Sequence, residues 1–119
     1  MNSTHNLQSE LSQFIGTEKL YRITSRHVLT DGTKFLAEQA QCFWLFDAIA
    51  SHLTKTYDDY FAVARLVVNE SSALLTLDDG NDAVFATQQI KYTDFPMKEI
   101  KLYCSFDGQY WVIMLPSEY

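Results

Sequence analysis

The residues of this 119-residue chain with the most available chemistry are three histidines, two cysteines and fifteen acids. Histidine is the commonest general base near neutral pH. His5 falls near the start of the chain, His27 in a segment without clear pattern, and His52 near the end of an apolar helical run. At a helix end an imidazolium interacts well with the dipole, and that is its expected role. No two histidines stand four apart and no cysteine neighbours one in a zinc pattern, so no metal site is expected. Cys42 and Cys104 fit no redox or metal spacing and read as buried reduced thiols. Asp47 follows Phe43 and Trp44 on the apolar run. If buried there it is either a pocket acid or a carboxylate paired with Arg22, Arg26, Ser51 or a loop amide, and pairing is the usual fate of a buried charge. Asp47 and His52 lie five residues apart, about 140° around a helix, which makes joint action on one small substrate awkward.

Asp78-Asp79-Gly80-Asn81-Asp82 has calcium-loop composition, but lacks the alternating ligands and the distal bidentate glutamate. It reads as a turn. Neither a nucleophile elbow nor a phosphate-binding glycine loop occurs. No catalytic constellation and no cofactor site is therefore expected.

The formal net charge is −6, unevenly spread. Residues 58–82 hold six acids against Arg65 alone, whereas residues 1–57 balance five against five. That field repels phosphate and argues against nucleic-acid binding. It suits docking on a basic partner through Asp58, Asp59, Asp78 and Asp79. Apolar residues form 47% of the chain and charged ones 20%, a globular composition with enough length for one core. No run is long and apolar enough for a membrane span, and the first ten residues show no export signal. A cytoplasmic location is expected.

The elements that must position these groups are α first, β after. Leu7, Leu11, Phe14 and Ile15 stripe a helix over Asn6–Ile15, with Ser3 or Thr4 placed to cap it and Gly16 to end it. Tyr21–Thr24 is readable as a short strand. Thr30 or Asp31 caps the strongest helical segment, Thr33–Leu53, which is either one helix or two with a break near Gln41-Cys42. From Tyr60 the period is two. Strands are expected at Tyr60–Val68, Ala73–Leu77, Ala83–Tyr92, Glu99–Phe106 and Tyr110–Leu115, the last pair joined by a two-residue Asp107-Gly108 turn. Tyr110–Leu115 is apolar on both faces and belongs inside the sheet. Short connections favour an α+β fold, with N-terminal helices on one face of a mainly antiparallel, five-stranded meander, in one domain over residues 1–119. Arg65, Thr76, Gln89, Lys91, Lys101 and Tyr103 are available to line the other face.

The segments Leu29–Gly32 (LTDG), Lys34–Glu38 (KFLAE), Phe43–Ser51 (FWLFDAIAS), Leu77–Gly80 (LDDG), Tyr92–Pro96 (YTDFP) and Leu115–Tyr119 (LPSEY) together resemble a family of small bacterial proteins of unknown function. Its members are often carried by plasmids and other mobile elements. The resemblance covers residues 14–119. It implies a bacterial protein with an accessory role and no established reaction. Asp31, Lys34, Glu38, Trp44, Asp47, Tyr92, Asp94 and Ser117-Glu118-Tyr119 fall on the matching positions.

Two functions compete. The favoured one is a non-enzymatic protein-interaction module, with a foreign partner or a second copy of the chain. The rival is an enzyme or small-ligand binder whose pocket between the central helix and the sheet is lined by Trp44, Asp47, His52 and Tyr92.

Overall fold

A computed structural model describes residues 3–54 and 57–119, with side chains from Leu7 onward. The side-chain roles expected of Ser3, Thr4 and His5, and the Lys55-Thr56 part of a turn, lie outside the described residues. In chain order the elements are α1 (Ser3–Leu11), β1 (Tyr21–Arg22), β2 (His27–Leu29), α2 (Asp31–Gln39), α3 (Phe43–His52), β3 (Phe61–Asn69), β4 (Ser72–Asp78), β5 (Val84–Ile90), β6 (Glu99–Phe106) and β7 (Trp111–Met114). A short 3₁₀ turn, Pro116–Glu118, follows. No helix among the described residues is long and apolar enough to cross a membrane.

The fold is α+β, but the sheet is not a five-stranded meander. It has seven strands in the order β1-β2-β7-β6-β3-β4-β5. The strands β3, β4 and β5 run as a meander, then β6 returns to pair with the free side of β3. This is the Greek-key order, in which a longer connection crosses one end of the sheet. Here the crossing segment is held by Thr93 N–H donating to the Ser71 carbonyl at 2.7 Å and by Val68 N–H donating to the Lys98 carbonyl at 2.7 Å. Phe95 and Met97 bury themselves beneath it. β7 lies between β6 and β2, inside the sheet as its two apolar faces require. Its pairing with β2 is the one parallel contact described, Val28 against Val112.

The central helical segment is two helices. Gln41 takes a φ of 51°, and Cys42 N–H donates to the Ala37 carbonyl at 2.9 Å. That is a Schellman ending with glutamine where glycine is usual, and buried Cys42 seats it. α1 ends at Leu11, short of the expected Ile15. The chain tightens there into i→i+3 bonds, and the Ser12 hydroxyl donates to the Ser9 carbonyl at 2.7 Å, which competes with further helix. Gly16 therefore does not cap it, and Ile15 stands exposed. The β6–β7 connection has four residues rather than two, because the Asp107 carboxylate gathers the N–H groups of Gln109 and Tyr110.

The core lies on one face of the sheet. Ala62, Ala64, Leu66, Leu75, Leu77, Leu102, Cys104, Trp111 and Ile113 meet Leu36, Leu45, Phe46, Ile49 and Leu53 from the helices. Alternation along each strand sends Arg65, Thr76, Gln89, Lys101 and Tyr103 to the other face. There Phe61, Tyr103 and Tyr119 form an aromatic cluster with centroids 5.2–5.5 Å apart.

Helices and sheet are fastened at the start of α2. Thr30 is its cap: Thr33 N–H donates to the Thr30 hydroxyl at 3.2 Å, and Thr30 N–H donates to the Thr33 hydroxyl at 2.8 Å. The Thr33 hydroxyl passes its own proton to the Ile113 carbonyl on β7 at 2.8 Å. Glu118 then reaches back from the 3₁₀ turn. One carboxylate oxygen accepts from the Thr30 hydroxyl at 2.6 Å and from Leu115 N–H at 2.9 Å. The other accepts from Gly32 N–H at 3.0 Å, placing negative charge at the helix N-terminus. A Cβ on Gly32 would lie 2.6 Å from a Leu115 methyl and 2.7 Å from a Glu118 oxygen, so the close approach demands glycine.

Glu118→Ala strips two backbone N–H groups and the Thr30 hydroxyl of a charged acceptor, and lowers unfolding free energy by about 2 kcal/mol. Gly32→Ala lowers it by about 1–3 kcal/mol through overpacking. Because both loosen one contact, the double variant loses less than the sum. Urea unfolding of the three variants checks this; strict additivity would sink the idea of a single shared fastening.

Candidate functional site

Residues Tyr57–Tyr60, which lead into β3, stand against the β6–β7 hairpin. They leave a pocket of about 270 Å³ between them. Its walls are aromatic: Tyr57, Tyr60, Phe106 and Trp111, with Arg26, Asp58 and Asp59 also lining it. The rings run as a connected wall. Tyr57 lies 5.8 Å from Trp111, Trp111 5.5 Å from Phe106, and Phe106 6.1 Å from Tyr60, centroid to centroid.

Each ring is held by its backbone. Trp111 opens β7, and its N–H donates to the Arg26 carbonyl at 2.7 Å, which brings Arg26 to the pocket. Phe106 closes β6, and its N–H donates to the Tyr60 carbonyl at 2.9 Å. Tyr57 donates its hydroxyl to the Phe61 carbonyl and stacks on Phe85 at 3.9 Å. Burial pushes the Tyr57 phenol up to about 12, and the carboxylates of Asp59, Asp79 and Asp78 push it the same way. The phenol is thus neutral, and the negative field of the acidic segment is felt at the pocket wall. Tyr60 is exposed at the rim, and the Asp59 carboxylate accepts its N–H at 2.7 Å.

His27 sits directly behind this wall, 7% exposed. Its Nε2 faces the Leu53 carbonyl at 2.9 Å, so Nε2 carries the proton. Its Nδ1 then accepts from the Thr24 hydroxyl at 2.6 Å. The ring is a strut between β2 and the end of α3. Burial pushes its pKa below the ordinary 6.5; the Leu53 bond opposes that shift and the Arg26 charge adds to it.

The residues singled out from sequence fall in several places. Asp58 and Asp59 reach the pocket together. Asp78 is buried on the other face, where one oxygen accepts from Gly80 N–H at 2.8 Å and the other meets Arg65 Nε at 3.4 Å. Asp79 accepts from the N–H groups of Asn81 and Ala83 inside the turn. Asp47 is exposed on α3, which removes the premise of a buried pocket carboxylate. Trp44 is half-buried against the core. His52 bonds the Gln88 side chain at 2.8 Å and lines a shallow groove with Ser51, Thr54, Tyr57, Phe85 and Ala86. Tyr92 is exposed beyond β5.

Of the positions behind the family resemblance, Asp31 and Glu118 hold loops. Asp31 accepts from Glu18 N–H at 2.8 Å and from the Tyr21 hydroxyl at 3.0 Å, and the Glu18 bond leads in holding its carboxyl below the usual range. Lys34 pairs with Glu38 one turn on and covers the Tyr21 ring. Cys42 and Cys104 are buried, and burial pushes both thiols up, Cys42 to about 12. Among the described residues no group of three His, Cys, Asp or Glu gathers to hold a metal ion.

The aromatic pocket draws its lining from three separated parts of the chain. Its signal was present as Tyr57-Asp58-Asp59-Tyr60, an acidic pair bracketed by tyrosines, but Arg26, Phe106 and Trp111 join it only through the seven-stranded order.

A family model described as a family of unknown function, DUF6876, matches residues 5–119. No curated protein and no solved structure matches the chain.

The buried neutral His27 makes stability depend on pH. The unfolded chain takes up a proton below pH 6.5 that the folded imidazole refuses, so stability is full above 6.5 and falls as pH drops through the range beneath it. In His27→Gln that slope shrinks. Denaturant midpoints taken across this window for both proteins test the assignment; equal slopes would contradict it.

Proposed function

The chain belongs to DUF6876, a family of unknown function, and we propose that this member is a protein-interaction module that takes a basic side chain of its partner into the aromatic pocket. The observation that carries the reading is the lining itself: four aromatic rings with Asp58 and Asp59 in a single cavity. An aromatic face attracts a cation through its quadrupole, more strongly where water is displaced. Two carboxylates add a field of the same preference, and Asp79 lies close enough to bear on the Tyr57 phenol. The volume, about 270 Å³, falls below the usual range for drug-sized ligands and suits the end of one lysine or arginine side chain. Arg26 on the lining supplies the counterweight: it disfavours a partner with several adjacent cations and favours one with an acid beside its basic residue.

The segment resemblance supports the setting of this reading, a bacterial cytoplasm and an accessory role on a mobile element. The rival reading, a small ligand held between helix and sheet, has its support in the groove beside His52, where Tyr57 and Phe85 form one wall.

Titration of isotopically labelled protein with N-acetyl-arginine amide and N-acetyl-lysine amide tests the pocket by NMR. The expected result is saturable shifts at the Trp111 indole and at Tyr60, absent with the neutral N-acetyl-glutamine amide. Tyr60→Ala weakens binding about threefold to tenfold, the worth of one cation–π contact. Asp58→Asn with Asp59→Asn weakens it further and flattens its dependence on salt. Shifts that ignore the charge of the probe, or that survive all three substitutions, would remove the reading.

A further inference from the structure

The two edges of the sheet are unlike. At one end β1 is two residues long and carries exposed Arg22, the usual protections of an edge. At the other end β5 is seven residues, VFATQQI, with neither charge nor proline nor glycine. It pairs with β4 along one side and is last in the strand order. Its residues are exposed or half-buried throughout, with Val84 55% exposed. Among the described residues no strand pairs with its other side, and an uncharged, β-prone edge of this kind is a template for another strand.

The chemistry of its flanks selects the occupant. Most of this surface repels a second copy, since the chain carries −6. β5 carries nothing to repel. The charges nearest its ends are Asp82 before it and Lys91 after it. Antiparallel pairing of two copies about Thr87 sets Ala86 against Gln88 and Val84 against Ile90, and brings each Lys91 beside the other copy's Asp82. Parallel pairing would put like charges together at both ends. The register irregularity between Leu77 and Asp78 confines the regular pairing with β4 to Ala86–Ile90, which contains Thr87.

We infer that β5 is a self-association edge, along which two copies of the chain join antiparallel about a two-fold axis at Thr87 into one continuous sheet. The occupant is a second copy because the pairing is isologous and electrostatically matched. One short strand pair makes a small interface, so the dimer dissociates on dilution. This inference is independent of the aromatic pocket, which lies on the far side of Tyr57 from Phe85.

Sedimentation velocity over about a hundredfold range of concentration reads it. The expected result is a monomer at the bottom of the range and a doubled mass at the top. Thr87→Lys, an exposed position, places two ammonium groups together on the axis and leaves a monomer throughout. Lys91→Glu sets acid against acid and weakens the dimer about threefold. Thermal unfolding of both variants at low concentration shows that they fold. A wild-type chain that stays monomeric across the range overturns the inference, and so does a dimer that Thr87→Lys leaves intact.

Discussion

The Glu118 carboxylate ties together three groups from two parts of the chain. It takes the N–H at the start of α2, the hydroxyl of the capping threonine and the N–H that follows β7. Any one of these left alone in a tight contact would cost about as much as a lost hydrogen bond to charge. Satisfied together, they let α2 start flush against the end of the sheet, where Gly32 leaves no room for a side chain. Thr33 completes the junction by bonding the β7 carbonyl. The short strand β2, three buried residues running straight into this junction, is thereby kept beside β7. The sheet has seven strands rather than five because that junction exists.

From this fastening follows the shape of the pocket. β2 beside β7 puts the Arg26 carbonyl on the Trp111 N–H, and His27 braces the same strand against the end of α3. Between those supports Tyr57 and Tyr60 face the hairpin aromatics Trp111 and Phe106. Charge and aromatic surface, separate in the sequence, become neighbours. The negative segment is divided by the sheet: Asp58 and Asp59 belong to the pocket, while Asp78 pairs with Arg65 on the opposite face and Asp79 stays bound within its turn.

Elements defined by their own residues were legible in the sequence. The five long strands appear within one or two residues of where period-two patterning put them, and Thr30 caps α2 as its side chain predicts. The capping proton donors sit only three residues away, so local chemistry suffices. What was hidden depends on partners far along the chain. His-Val-Leu at 27–29 is too short to pattern as a strand, and becomes one because Trp111–Ile113 offers it a ladder. The return of β6 to β3 rather than β5 is decided by burial of Phe95 and Met97, which short-connection reasoning does not weigh. Gln41 in a left-handed conformation carries no glycine to announce it. Asp47 sits among apolar neighbours in sequence, yet the helix turns it outward, because Phe43, Asp47 and Ser51, four residues apart, form the exposed stripe of α3 while Leu45, Phe46, Ile49 and Ala50 face the core.

The parallel β2–β7 contact sets an order of events during synthesis. A chain emerging from the ribosome presents its N-terminal part first. β2 then has only the two residues of β1 to lie against until residues 111–113 have appeared, and the start of α2 has no carboxylate at its cap until residue 118 has. The Greek key formed by β3–β6 can close earlier, since all its strands are already out. β2 and the cap of α2 therefore wait, unfinished, on residues 111–118. Pairing across so long a separation is intrinsically slow. In that interval β1 alone flanks β2, and the nascent chain carries the far side of this apolar strand uncovered until residues 111–113 have emerged.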